Sequence, residues 1–303
     1  MSCVFYPGCS LDSTARDYYL STQAVAGALG LELPEIPDWT CCGSTPAHQS
    51  SELLALALPA QNLLAARGKT VAVCCAACYS RLKAANHTLA HDPKARAAVA
   101  EALGADYDGS TPVKHLLEII VRDIGLKKVA ERVVRPLKGL RVAAYYGCLL
   151  VRPPEVTQFD DPENPTLMDD VLAAAGAETL DWPHKTECCG ASYSITDVSI
   201  VHQLTRDVLA MARDAGANCI ATACPLCQLN LDLRQREIAE KFGESFDLPV
   251  FYFTQLLGLA FGLKPAQLGL RSLVVNPEPL LAAAGMLGEQ VAGQRQGCTG
   301  CGH

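Results

Sequence analysis

The sequence is short of basic residues, long apolar runs and aromatic side chains. Lys and Arg number 25 against 32 Asp and Glu, giving a net charge of −7 and a pI of about 5.5. The cations are scattered, and no basic stripe interleaved with aromatics occurs, so no nucleic-acid partner is expected. The longest apolar stretches, Leu53 to Leu58 and Leu256 to Phe261, fall far below the ~20 residues that a membrane span needs. Met1-Ser2-Cys3-Val4-Phe5-Tyr6-Pro7 has no basic stretch followed by an apolar one, so it does not read as a signal peptide. A cytoplasmic location is expected. Glycine-rich dinucleotide turns, Walker loops and serine–histidine arrangements are also missing, so no nucleotide site is expected on this chain.

Cysteine, by contrast, is abundant: 15 in 303 residues. An odd number of thiols in a chain without an export signal argues against structural disulfides and for metal or redox work. Ten of them form one pattern written twice. The first half carries Tyr6-Pro7-Gly8-Cys9, then Cys41-Cys42-Gly43, then Cys75-Ala76-Ala77-Cys78. The second carries Tyr145-Tyr146-Gly147-Cys148, then Cys188-Cys189-Gly190, then Cys224-Pro225-Leu226-Cys227. The intervening gaps are 31 and 32 residues in the first unit and 39 and 34 in the second. After the units come Lys114-His115-Leu116-Leu117 and Thr254-Gln255-Leu256-Leu257, which extend the repeat if their leucines are equivalent. A repeat of this length implies two homologous domains packed together, and half the residues are hydrophobic, enough for two cores. The expected divisions are 1–135, 136–266 and a C-terminal extension, 267–303, with a polar connection across 126–139.

Short apolar runs at Cys3 to Tyr6, Val71 to Cys74, Val142 to Tyr146, Ile220 to Ala223 and Val250 to Phe253 suit buried strands. Residues 14–29, 46–67, 166–175, 197–215 and 228–241 have helical periodicity. Such alternation predicts an α/β fold with mostly parallel sheets in both domains. Cys9, Cys75, Cys148 and Cys224 then follow strands and precede helices, at the sheet edge where open parallel sheets bind ligands. Free N–H groups at helix starts favour thiolate over thiol there.

A lone C-x-x-C is equally a zinc half-site or a dithiol. A structural zinc site takes four ligands in a tetrahedron. Each unit here offers five cysteines, two of them vicinal, which suits a multi-iron cluster better than one small ion. Zinc stays open as the competitor. Cys3, Cys74 and Cys219 lie in strand-like runs and read as small buried hydrophobes, although Cys74, next to Cys75, is also placed to substitute as a ligand. The tail pair Cys298 and Cys301, with His303 and flanking glycines, is either a metal or redox element or a terminus without a role. The histidines form no constellation. His184 and His48 are the two near enough in sequence to a Cys-Cys pair to line its pocket, and His115 reads as surface or locally bonded.

The repeated pattern resembles the CCG-domain family, in particular the B subunit of heterodisulfide reductase and its bacterial homologues, over about residues 3–265. The segment Tyr252-Phe253-Thr254-Gln255-Leu256-Leu257-Gly258 is also typical of those proteins. The resemblance implies two Rossmann-like CCG domains, each holding a noncubane 4Fe–4S cluster through five cysteines. The ligands carried over are Cys9, Cys41, Cys42, Cys75 and Cys78 for one cluster, and Cys148, Cys188, Cys189, Cys224 and Cys227 for the other. Some relatives hold zinc in the first domain. Here the first motif is complete, which favours two clusters. The resemblance further implies an oxidoreductase component that works on a disulfide or thiol placed between the clusters. Its implied partners are a small ferredoxin-type subunit with cubane clusters and a larger flavin-bearing one. A composition rich in alanine, leucine and arginine points to a bacterium, and the bacterial proteins that the resemblance takes in include a sulfur-oxidising heterodisulfide reductase-like complex, with sulfur carried on protein-bound lipoate. The tail C-x-x-C departs from the family pattern. An apolar surface around Leu270, Leu273, Val274, Leu280 and Leu281 is expected to serve docking.

Overall fold

The computed structural model describes residues 3–44 and 46–287. The tail residues Cys298, Cys301 and His303 lie outside the described residues, as does the side chain of His48. Each half is built on a parallel sheet. In the first, β1 (Cys3–Tyr6), β2 (Thr70–Val73) and β3 (Val113–His115) lie in the order β1-β2-β3. In the second, β4 (Arg141–Tyr145), β5 (Glu178–Thr179), β6 (Cys219–Thr222) and β7 (Val250–Tyr252) lie in the order β5-β4-β6-β7. All pairings are parallel. A single bridge from Phe5 to Glu35 stands in the first half where β5 stands in the second. Strands β1, β6 and β7 are buried along their whole length, as expected of parallel strands covered on both faces.

The helices follow the periodicity in part. Arg16–Ala28, Leu167–Ala174 and Val198–Asp214 fall where the pattern places them. The stretch 46–67 is two helices, Pro46–Ser50 and Glu52–Ala65, because the Ser51 hydroxyl accepts from the Leu54 N–H at 3.3 Å and starts the second one. The stretch 228–241 is likewise divided into Pro225–Leu233 and Gln235–Phe242. The Gln235 side chain there clamps Leu248, accepting from its N–H at 3.0 Å and donating to its carbonyl at 2.7 Å. The connection at 126–139 is more than a polar linker. It contains the helix Leu126–Arg132, whose Val129 is buried and which packs on Leu167–Ala174.

The repeat also needs a shifted register. The N–H of His115, at the end of β3, donates to Glu118 Oε2 at 2.8 Å, and the N–H of Tyr252, at the end of β7, donates to Gln255 Oε1 at 2.9 Å. His115 is therefore equivalent to Tyr252, three positions away from the pairing that the leucine dipeptides suggest. Cross-strand register outweighs local similarity of two apolar pairs.

The halves pack on each other mainly through helices: Arg16–Ala28 on Phe253–Ala260, and Ala76–His91 on Cys148–Val151 and Pro154–Thr157. Tyr18 stacks on Tyr252 with centroids 3.9 Å apart and planes 5° from parallel, worth about 0.5–1.5 kcal/mol beyond burial. Ser21 Oγ and Thr254 Oγ1 lie 2.7 Å apart, and the Tyr79 hydroxyl donates to the Thr157 carbonyl at 2.8 Å. Leu270, Leu273 and Leu281 are buried in this core, so the anticipated docking surface is not there. Of that group Val274 is the exposed one. The N–H groups of Val274 and Val275 are held by the Asp232 carboxylate at 2.8 and 3.0 Å, which folds the segment against the second half.

Candidate metal centre

Each repeated residue of the motif has a mechanical reason. Tyr6 and Tyr145, three positions before Cys9 and Cys148, are buried. Their hydroxyls donate to the Thr40 carbonyl at 2.7 Å and the Glu187 carbonyl at 2.6 Å. Those carbonyls directly precede the Cys-Cys pairs, so one phenol ties the first loop of each unit to the second. Gly8 and Gly147 hold positive φ of 68° and 67°, and a Cβ on either would sit 3.1 Å from the thiol of Cys78 or Cys227. The glycine after each pair turns its N–H back on the first thiol of that pair. Gly43 donates to Cys41 Sγ at 3.4 Å and Gly190 to Cys188 Sγ at 3.3 Å. Cys75 and Cys224 sit at the starts of the helices Ala76–His91 and Pro225–Leu233.

These constraints gather the thiols. In the first unit Cys42 Sγ lies 3.3 Å from Cys78 Sγ, with the Cys41 and Cys75 thiols near enough to that pair to shift its ionisation. In the second, Cys189 Sγ lies 3.6 Å from Cys227 Sγ, with Cys224 influencing Cys227 and Cys148 influencing Cys188 in the same way. The two sets approach each other at Cys75 and Cys224, whose thiols shift one another's ionisation. A run of thiols thus passes from Cys41 through Cys42, Cys78, Cys75, Cys224 and Cys227 to Cys189. Cys9 and Cys41 are exposed, Cys148 and Cys188 half-buried, and the other six buried. Among the described residues no three His, Cys, Asp or Glu side chains gather round the position of a single ion. The contacts are pairwise along the run.

Proton sharing polarises the run. Hydrogen bonds from Cys41 and Cys78 pull the Cys42 thiol down to about 3. A bond from Cys148, helped by the Gly190 N–H, brings Cys188 to about 6. Bonds from Cys227 and Cys75 hold Cys224 well below the ordinary thiol range. The donors Cys41, Cys75, Cys78, Cys148 and Cys227 are raised correspondingly. The donor set is sulfur alone, five per half with one vicinal pair each. That chemistry fits an iron–sulfur group, whose separate irons each take a soft thiolate.

The other described cysteines, Cys3, Cys74 and Cys219, are all buried. Burial pushes the Cys74 thiol up to about 12 while its sulfur faces Thr22 Oγ1 at 3.5 Å. His184 is half-buried, with its Nδ1 enclosed and without a hydrogen-bond partner among the described residues. His202 pairs with Glu237 at 2.7 Å on the surface. Two residues near the thiols escape notice in the sequence. Lys185 is buried against Asp169 at 3.4 Å, and its carbonyl accepts from the N–H groups of Tyr146 and Gly147, holding the turn into Cys148. His115, expected at the surface or in local contacts, is fully buried between the halves. A lone histidine or lysine outside a motif carries no mark of such a position. The repeated tyrosines did carry one, since they recur at fixed spacing.

The cysteine-rich CCG domain matches the chain twice, at residues 3–83 and 142–232. The chain belongs to the CCG family. It is 30% identical to the B subunit of a CoB-CoM heterodisulfide reductase of Methanosarcina acetivorans, over 91% of this chain and 95% of that one. It is 32% identical to the membrane anchor subunit of the 8-methylmenaquinol:fumarate reductase of Wolinella succinogenes, over 91% of this chain and 98% of that one. No helix among the described residues is long and apolar enough to cross a membrane. A solved structure of a hypothetical protein from Helicobacter pylori shares the fold, with a TM-score of 0.71 at 14% identity. That match covers 90% of this chain, which spans 52% of the length of the solved one.

Proposed function

We propose that this chain is the iron–sulfur subunit of a heterodisulfide reductase-like complex, with two noncubane 4Fe–4S clusters and a disulfide or thiol as substrate. Cys9, Cys41, Cys42, Cys75 and Cys78 hold the first cluster, and Cys148, Cys188, Cys189, Cys224 and Cys227 the second. The observation that supports the reading is that the Cys75 and Cys224 thiols, one from each half, are near enough to shift one another's ionisation, while His115 between them contacts the carbonyls that precede both. Cleaving a disulfide takes two electrons, and bound clusters would supply them one at a time. The chain's part is to hold each set together, through Tyr6 in one and Tyr145 in the other, and to keep the two sets adjacent through the packed halves, so that one substrate is within reach of both. Electrons come from or go to a ferredoxin-type protein and a flavin-bearing one, in keeping with the lack of a nucleotide motif here. The proposal extends to the oxidative direction, with sulfur held on a lipoyl carrier as the substrate.

A second reading is favoured by the likeness to a component of a quinol:fumarate reductase. In it the chain relays electrons within its complex and takes no sulfur substrate, with one cluster in the second unit and zinc in the first. Anaerobic reconstitution separates the two. The first reading expects about eight irons per chain and a cluster spectrum that changes when a dithiol or its disulfide is added. About four irons with zinc, and a spectrum indifferent to thiols, would overturn it in favour of the relay.

A further inference from the structure

His115 occupies the junction of the two halves and belongs to neither motif. It ends β3 and is fully buried. Its Nδ1 accepts from the Leu117 N–H at 3.2 Å, which leaves the ring hydrogen on Nε2 in the neutral tautomer. Burial holds its pKa down at about 4, so this form persists at neutral pH. Nε2 faces two carbonyls, that of Cys74 at 2.7 Å and that of Ala223 at 3.2 Å. One acceptor belongs to each half. Each directly precedes one of the two thiols through which the sets meet, Cys75 and Cys224. Tyr79 and Phe159 pack edge-on to the imidazole with centroids 6.0 and 5.9 Å away, which fixes the ring plane. The equivalent residue in the second half, Tyr252, makes no such bridge. Its hydroxyl reaches Gln228 Oε1 at 3.5 Å and its ring stacks on Tyr18.

We propose that His115 is a positioning residue that sets the spacing between the two thiol sets, by holding the Cys75 loop and the Cys224 loop on one shared N–H. A histidine serving only its own half would also be buried and bonded. What distinguishes this one is the acceptor in the other half, 108 residues further along the chain. Its functional consequence rests on the reading of the two sets as one site. The bridge itself does not.

The test is amide hydrogen exchange, read by mass spectrometry on segments 75–79 and 224–228 of the metal-free full-length chain. His115→Asn places its amide where Nδ1 lies and keeps the contact with Leu117, but is too short to reach the two carbonyls. His115→Gln places an N–H donor near the position of Nε2. The Asn variant should speed exchange about fivefold to tenfold in both segments, the order expected for one lost hydrogen bond. The Gln variant should return both toward wild type, and the helix Val198–Asp214 should be unchanged in either. Where the Asn variant fails to fold, His115→Phe, which keeps an aromatic ring and lacks the N–H, takes its place. Faster exchange confined to segment 75–79, unchanged exchange in both, or Gln behaving like Asn would overturn the proposal. Neither cluster nor substrate enters the measurement, so its failure is distinct from a failure of the proposed function.

Discussion

Replacing Gly147 by alanine perturbs the second thiol set without touching a sulfur. Gly147 has φ 67° and ψ −177°, a region open essentially to glycine alone, in which another residue costs about 1–3 kcal/mol. The new Cβ would also lie 3.1 Å from Cys227 Sγ and 3.6 Å from the Tyr145 ring. The ring is at ordinary van der Waals distance, so it is the thiol that must give, by a few tenths of an ångström. The backbone term therefore dominates the loss of stability, and the contact term dominates the change at the site. At about 2–4 °C per kcal/mol for a chain of this class, the metal-free protein should melt about 2–12 °C lower. Because Cys227 anchors the run that passes to Cys189, the second site should lose iron on reconstitution while the first keeps it. Differential scanning calorimetry and iron analysis on the same preparations check both parts. A variant with the melting temperature and iron content of the wild type would refute the argument that glycine is required here for both conformation and close approach.

Two further outcomes are expected. Cys189→Ser should abolish the cluster signal of the second unit and leave that of the first, because serine lacks the soft thiolate that iron prefers; electron paramagnetic resonance of the reconstituted variant would show an unchanged second signal if Cys189 were not a ligand. Asp17 is buried, and burial lifts its carboxyl from 3.8 to about 6. The folded chain holds that proton more tightly than the unfolded one, so stability is lost as pH rises from about 4 to 6. Asp17→Asn should remove that slope in urea unfolding and stabilise the chain at pH 7 by on the order of 2 kcal/mol; an unchanged slope would contradict it.

The sequence discloses those parts of the molecule that repeat or that follow a strong period. Strand β1 is apolar along its length, and the helix Val198–Asp214 shows one apolar face, so both are legible. Strand β3 has three residues with Lys114 in the middle, and β5 has two. Neither is long enough to show a pattern, and each exists because a neighbouring strand offers a ladder. The helix Ala76–His91 buries only part of an alanine-rich surface and gives a weak signal. At the site the tyrosines and glycines of the motif were visible as repeated letters, but their task, holding a carbonyl or admitting a sulfur, emerges from distances. His115 was hidden because its partners are backbone carbonyls 41 and 108 residues away.

The thiols are graded in exposure: Cys9 and Cys41 stand in solvent, Cys148 and Cys188 are half-covered, and the other six are buried. A reagent arriving from solvent therefore meets Cys9 and Cys41 first. Oxidative damage to the empty chain would begin at those two, one from each of the first two loops of the first unit, and would reach the six buried thiols last.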